Sequence, residues 1–419
     1  MSMNNVHAPT RRHLLLASGV LFAWAHVPRV ARAEGRDPRF LVVVLRGALD
    51  GLAAVAPVGD PDWSRLRGDN ALTLEGKTPA LPLDNFFALN PAMPNLHRMY
   101  QAAQASIVHA VASPYRERSH FDGQDVLESG LSKPGAVDTG WLNRALASLA
   151  PAGRVGSKDA FAVGPVTPLV VRGPAPVMSW SPQRLPPATE DTVTRLLDLY
   201  RHTDPVLARA LEERVGLAAI AGAGGMEAGA PQAPDAMRAQ GPAAAVRAYF
   251  AEAAGAAAKF MSRDDGPRVG ALAFDGWDTH ADEGVASGRL AALLGALDGA
   301  MAAIEKGMGP AWNETAVAVI TEFGRTARIN GTEGTDHGTA TVALLAGGAV
   351  KGGRVIADWP GLSAANLYQD RDLKPTTDLR AILKGVLRDH LRVDESALAT
   401  SVFPGSVALK GTSGLVVTA

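Results

Sequence analysis

Residues 315–353 read TAVAVITEFGRTARINGTEGTDHGTATVALLAGGAVKGG. The stretch opens on a β-branched apolar run, Thr315 to Thr321, which predicts a strand buried on both faces. It breaks into Glu322, Phe323, Gly324 and Arg325, and a Gly/Asn/Thr-rich loop follows, ending in Thr335, Asp336, His337 and Gly338. A second apolar run, Ala340 to Ala346, closes the unit before the glycine-rich turn 347–353. Acid, guanidinium and imidazole thus fall on loops at the ends of two core strands. Open α/β sheets place their sites at the carboxyl ends of strands, so the fold class expected from this stretch is α/β.

Working outward, the same pattern recurs. Phe40–Leu45 is a continuous apolar run that ends in Arg46-Gly47-Ala48-Leu49-Asp50-Gly51. Asp50 there reads equally as a turn or N-cap residue and as a ligand placed just past a strand. Strands are expected at Ser106–Val111 and Arg268–Phe274, with shorter ones at Phe161–Val163, Leu169–Val171 and Ser406–Lys410. Helical spacing predicts helices over Met93–Gln104, from Ser119 or Phe121, from Gly140, over Val285–Lys306 and over Thr377–Leu391. Residues 57–92 are a Pro/Gly-rich excursion, and 192–261 form an alanine-rich helical layer split by Gly222–Pro234.

The chain has 419 residues, 47% hydrophobic and 20% charged, and no cysteine. Disulfides and thiolate metal sites are excluded, leaving His, carboxylate and hydroxyl donors. Thr10-Arg11-Arg12-His13 begins a leader whose apolar segment, Leu14 to about Val27, is followed by Ala31-Arg32-Ala33, the small-x-small pattern of a signal peptidase site. That segment is short for a membrane span, so no stable span is expected after cleavage. The paired arginines point to Tat export, with an ordinary secretory signal or an uncleaved anchor as the other readings, and hence to a periplasmic or secreted protein. Removing residues 1–33 takes 41 bases to 37 against 42 acids, so residues 34–419, read as a single domain, are acidic. Nucleic acid is not an expected partner; the Tat translocase is one during export.

Two further clusters stand out. Residues 113–130, SPYRERSHFDGQDVLESG, gather Arg116, Arg118, Ser119, His120, Asp122 and Asp125 in one short segment. Ser119 there suits an N-cap, or a nucleophile at a helix N-terminus, where the dipole favours an anion. Asp275-Gly276-Trp277-Asp278-Thr279-His280 follows a buried run, and the pair Asp278 and His280 suits a divalent metal. His120, His280 and His337 all lie beside carboxylates at strand ends, which points to a metal or acid–base site. No G-x-S-x-G elbow, Walker loop or dinucleotide fingerprint is present.

Together the leader, LRGALDGL, RSHFDGQDVLESG, GWLNRAL, FDGWDTH, TEFGRT and GTDHG resemble a bacterial family of Tat-exported proteins of unknown function, one usually placed in the alkaline phosphatase/sulfatase superfamily. The resemblance covers essentially all of residues 34–419. It implies a three-layer sandwich with a mostly parallel central sheet, helices on both faces, and one or two divalent ions (zinc, manganese or calcium) at the carboxyl edge. By that resemblance Asp50 and Glu322 would bind one metal, Asp278 and His337 the other, and Ser119 would be the nucleophile. Arg116, Arg118 or Arg325 would hold the remaining oxygens of a phosphate or sulfate ester, small or polymeric. Two departures stand against this pattern: the superfamily's Asp-His pair reads Glu322-Phe323, and its aspartate–histidine spacing of four is absent after Asp278. Either His120 and His280 restore the ligand set or one metal site is lost. The expectations are therefore a metal-dependent ester hydrolase or, alternatively, a secreted binding or assembly protein that keeps the fold without turnover.

Overall fold

In the computed structural model the described residues are 21–25, 36–135, 137–149, 168–175, 177–180, 242–264 and 266–417, with isolated positions between 197 and 209. Nine strands among them join one sheet: β1 (Leu21–Ala25), β2 (Arg39–Arg46), β6 (Ala105–Ala112), β7 (Val177–Trp180), β8 (Val269–Asp275), β9 (Thr315–Thr321), β10 (Thr341–Ala346), β11 (Arg354–Ile356) and β12 (Thr377–Asp378). A three-stranded ribbon, β3 (Val55–Ala56), β4 (Leu81–Pro82) and β5 (Ala88–Leu89), stands apart. Among the described residues the α-helices of four or more residues are α1 (Gly51–Ala54), α2 (Trp63–Arg67), α3 (Pro94–Gln101), α4 (His120–Ser129), α5 (Trp141–Leu149), α6 (Pro242–Ser262), α7 (Arg289–Met308) and α8 (Leu379–Leu391).

The main sheet runs β11-β6-β10-β9-β2-β8-β1-β7, with β12 also on β6. Pairings β2–β8, β2–β9, β6–β11 and β6–β12 are parallel; β10 is antiparallel to β6 and β9, and β1 to β7 and β8. All strands except β10 and β1 therefore point the same way, and the sheet is mostly parallel in direction. Alternation along β2 explains the layers. Leu41, Val43 and Leu45 belong to one apolar core with residues of α3, α6 and α7. Phe40, Val42 and Val44 face a second core with residues of α5 and α8. A strand covered on both sides has no polar face, which is why these segments read as unbroken apolar runs.

Departures from the expected elements have local causes. Leu169–Val171 is a 3-10 turn rather than a strand, and Ser406–Lys410 is a sequence of turns whose Ser406 amide bonds the Phe403 carbonyl. Both segments are apolar enough for a strand yet too short to outweigh turn geometry. The excursion at 57–92 supplies α2 and most of the small ribbon. Leu21–Ala25, inside the segment read as leader, pairs with β8 and β7; the cleavage pattern, Phe161–Val163 and the Gly222–Pro234 break lie outside the described residues. Among the described residues no helix is long and apolar enough to cross a membrane.

Candidate metal centre

The parallel strands β2, β6, β8 and β9 end at one edge of the sheet, and antiparallel β10 begins there. Loops after Arg46, Ala112, Asp275 and Thr321 therefore meet the loop that precedes Thr341. Gly47 makes the first close approach: it takes φ +118°, and a Cβ on it would lie 2.6 Å from the Asp278 amide nitrogen. Only glycine suits both conditions. Its own amide donates to Glu322 Oε1 at 2.9 Å. Across the edge, Arg325 and His337 form an antiparallel bridge that fixes the β9 loop against the β10 loop.

This edge brings together His120 from the first position of α4, Asp278 from the β8 loop and His337 from the β10 loop. One donor atom from each lies within 4.8 Å of the others, and the group can hold a metal ion. His120 Nε2 stands 3.5 Å from Asp278 Oδ2, and His337 Nε2 stands 3.3 Å from Asp278 Oδ1. His280 joins them, its Nε2 3.0 Å from both Asp278 Oδ1 and His337 Nε2. Ligands about 2.0–2.2 Å from a tetrahedral ion are separated from each other by roughly 3.3 Å; the contacts to Asp278 fall at 3.0–3.5 Å, through its two oxygens.

The far nitrogen of each ring is held by an oxygen. His337 Nδ1 lies 2.9 Å from the Arg118 carbonyl, which can only accept, so that nitrogen carries a proton and leaves Nε2 as the one that can offer a lone pair to an ion. His120 Nδ1 lies 2.9 Å from Glu322 Oε1, and His280 Nδ1 lies 3.4 Å from Asp336 Oδ1. Carboxylate or carbonyl behind imidazole, with the other nitrogen facing a shared point, is the arrangement that orients metal-binding histidines. His120 Nε2 is buried and makes no hydrogen bond. A buried nitrogen without a partner is unfavourable, and an ion at the shared point would satisfy it.

Electrostatics concentrate on Asp278. Burial opposes its charge, but close contacts with His120, His337 and Arg325 outweigh that and hold its carboxyl well below the usual range. Arg325, entirely buried, donates to Asp278 Oδ1 at 2.6 Å and to the Thr335 hydroxyl at 3.2 Å. Burial opposes the charge on Glu322 too, yet bonds from His120, Gly47 and Gln124 hold it low. Contacts to Asp278 and then Glu322 raise His120 to about 9, against burial. Phe323, where the resemblance expects a histidine, stacks on the His120 ring at 5.1 Å and forms an apolar wall.

The remaining residues named from the sequence fall differently. Asp50 is fully buried and outside the donor group: Oδ1 caps α1 through the Leu52 and Ala53 amides at 3.0 and 3.1 Å, and Arg67 grips both its oxygens at 2.5 and 3.0 Å. Glu322 stands behind His120 rather than beside Asp278. Arg118 turns its guanidinium to Asp372, at 2.7 Å. Ser119 is the N-cap residue of α4 but makes no capping bond through its side chain; it lies against the Tyr115 hydroxyl, to which its amide donates at 3.1 Å. Arg67, Asp372, Gln124 and the orienting carbonyl of Arg118 carried no sequence signal. Glu283, fully buried behind the site between Thr279 and Thr335, is raised to about 7 by burial and the Asp50 charge.

The family described as "Protein of unknown function (DUF1501)" matches residues 103–403. No curated protein and no solved structure matches the chain.

Proposed function

The chain belongs to the DUF1501 family, and we propose that this member is an exported metal-dependent hydrolase of phosphate or sulfate esters, built on an alkaline phosphatase-like sheet and working around one divalent ion. The observation that carries the reading is the convergence of His120 Nε2, buried and without a hydrogen bond, on Asp278 beside His337 Nε2. Three imidazoles and one carboxylate favour zinc or manganese over calcium, which takes six to eight oxygens. When bound, the ion supplies Lewis-acid charge to the non-bridging oxygens of an ester. His120, Asp278 and His337 hold it, with His280 as a fourth donor. Glu322 and the Arg118 carbonyl fix two ring tautomers, and Arg325 positions Asp278 rather than the substrate. Ser119, half-buried and next to His120, supplies the hydroxyl nucleophile. The arginine pair and cleavage pattern of the leader support export.

One observation favours the rival reading, a binding protein without turnover. Asp50, a ligand of a second metal by the superfamily resemblance, is already committed to Arg67 and to α1. The test is elemental analysis of protein purified without chelator, followed by an ester screen. About one zinc or manganese per chain is expected, largely lost in His337→Ala and Asp278→Ala, with ester turnover lost in Ser119→Ala. A folded chain that holds no ion and takes none up would end the metal reading; turnover unchanged in Ser119→Ala would remove the nucleophile. Stoichiometric metal without turnover of any ester would select the binding protein.

A further inference from the structure

The segment 367–373 has no role in the metal reading, yet it touches His337 from two sides. Tyr368 and Asp372 pair as an isolated bridge around a tight turn in which Gln369 and Asp370 take φ +53° and +57°. Left-handed backbone is unfavourable for side chains of this kind, and it persists only where the surroundings hold it. Asp372 pairs across to Thr326, and the Ala327 amide donates to the Arg371 carbonyl at 2.9 Å, so the turn is stitched to the β9 loop.

From this anchored turn the fully buried Asp372 carboxylate reaches two arginines. Oδ2 accepts from Arg118 Nε and an Arg118 terminal nitrogen at 2.9 and 2.7 Å. Oδ1 stands 3.2 Å from Arg371 Nε. Both arginines then act on His337. The Arg118 carbonyl receives the His337 Nδ1 proton, and an Arg371 terminal nitrogen donates to the His337 carbonyl at 2.8 Å. Arg118 is itself left-handed, at φ +60°. Its guanidinium is fixed by Asp372, by Gln369 Oε1 at 2.6 Å and by the Tyr368 ring at 5.9 Å.

We propose that Asp372 is a positioning residue for the metal ligand His337, acting through the backbone of Arg118 and the side chain of Arg371. This rests on the metal reading above and adds to it the device that selects the His337 tautomer. An unconstrained Arg118 relaxes out of the left-handed region and carries its carbonyl away from Nδ1. The imidazole then moves its proton to Nε2 in part of the population, and a protonated Nε2 cannot bind an ion.

Two variants separate this from a general loss of fold. Asp372→Asn removes the charge that holds Arg118 through two hydrogen bonds and attracts Arg371 without one. Arg118→Gly keeps a residue at ease at φ +60° but lets the carbonyl swing; because it also leaves the buried Asp372 without its main cation, its melting temperature is expected to fall, and affinity and tautomer are read at a temperature where both variants are folded. Zinc affinity by competition with a chromophoric chelator is expected to fall about 10–100-fold in both, the range of outer-sphere partners, with Arg118→Lys between them and the parent. The second readout needs no metal: ring-nitrogen NMR of histidine-labelled, metal-free protein. It is expected to show His337 protonated on Nδ1 in the parent and partly on Nε2 in the variants. Parent-like affinity in Arg118→Gly and Asp372→Asn overturns the proposal, as does an unchanged tautomer. If the parent binds no zinc, the metal reading fails by itself, and the tautomer alone decides whether Asp372 sets His337.

Discussion

Glu322→Gln exchanges a carboxylate for an amide of the same shape at a position without solvent exposure. Oε1 of Glu322 meets the Gly47 amide and His120 Nδ1 at 2.9 Å and the Gln124 amide at 3.2 Å, while Oε2 accepts from the Thr321 hydroxyl at 3.0 Å. A glutamine satisfies all four by turning its oxygen to the first three and its NH2 to Thr321, whose hydroxyl then accepts. Contact survives and charge is lost. A hydrogen bond to a charged group contributes about 1.5–3 kcal/mol and a neutral one about 0.5–1.5. The exchange therefore weakens His120 as a ligand by roughly 1–1.5 kcal/mol, about tenfold. Proton competition works the other way. In the metal-free chain His120 is raised to about 9, so at pH 7 an ion must displace a proton at a cost of about 2.7 kcal/mol. Removing Glu322 relieves part of that cost, while Asp278 keeps the rest. Near pH 7 the two effects nearly cancel; above the His120 pKa only the loss remains. Zinc titrations against a chelator should thus show a gap of about tenfold near pH 9.5 and a smaller one at pH 7. Equal affinity at the higher pH, or a gap wider at pH 7, would refute the reasoning. The sign for stability follows from the same shift. A histidine raised above its unfolded value of about 6.5 stabilises the metal-free fold fully below that pH and loses the effect as pH rises through about 9. The melting temperature of metal-free parent should fall across that window, and that of Glu322→Gln should fall less.

Arg67→Met leaves the Asp50 carboxylate buried without its cation, and breaking such a pair costs about 3–5 kcal/mol. Thermal or denaturant unfolding should show that loss while the zinc affinity of the folded fraction stays at the parent value; a matching loss of metal would put Asp50 back in the ligand set. Gly47→Ala places a methyl 2.6 Å from the Asp278 amide at φ +118°, a destabilisation of more than about 1 kcal/mol. It should weaken zinc binding too, because the Asp278 loop must retreat; a variant that melts and binds like the parent would show that the loop yields freely.

The strands were legible because their runs are buried on both faces. Thr315–Thr321 is predicted and observed over the same residues, and β2 and β8 differ from expectation by a residue at their ends. The histidines were legible only as a group: one alone suits a structural role, but three beside carboxylates at strand ends point to a common site, and the structure brings them together. Sequence did not reveal the role of each carboxylate. Asp50 and Glu322 both follow apolar runs, and what separates them from Asp278 is what else reaches them. Asp50 meets Arg67, which comes from the excursion after α1 and also binds the Ala327 carbonyl at 2.9 Å. That partnership depends on how the excursion returns over the sheet edge, and no local pattern encodes it. Arg118 illustrates the same limit. Beside Ser119 it reads as an anion clamp, yet a buried aspartate 254 positions away claims its guanidinium and leaves its carbonyl to act.

The direction of β10 decides whether a site exists at all. With β2, β6, β8 and β9 parallel, the loops after each converge without further help. His337 precedes its strand, and a β10 parallel to β9 would put it at the opposite edge, more than 20 Å away for a strand of six or seven residues at about 3.3 Å each. Antiparallel pairing with both β6 and β9 brings it back. The connection from Glu322 to Ala340 bonds back on itself, with Gly324 donating to Thr339 at 2.9 Å and Gly338 to Gly324 at 2.8 Å. A Cβ at Gly324 would lie 2.0 Å from the Ala340 carbonyl oxygen, so the close approach that returns His337 to Asp278 requires glycine. The glycines of TEFGRT and GTDHG therefore matter to the candidate metal site as much as its imidazoles do, since they permit the close approach on which the donors depend.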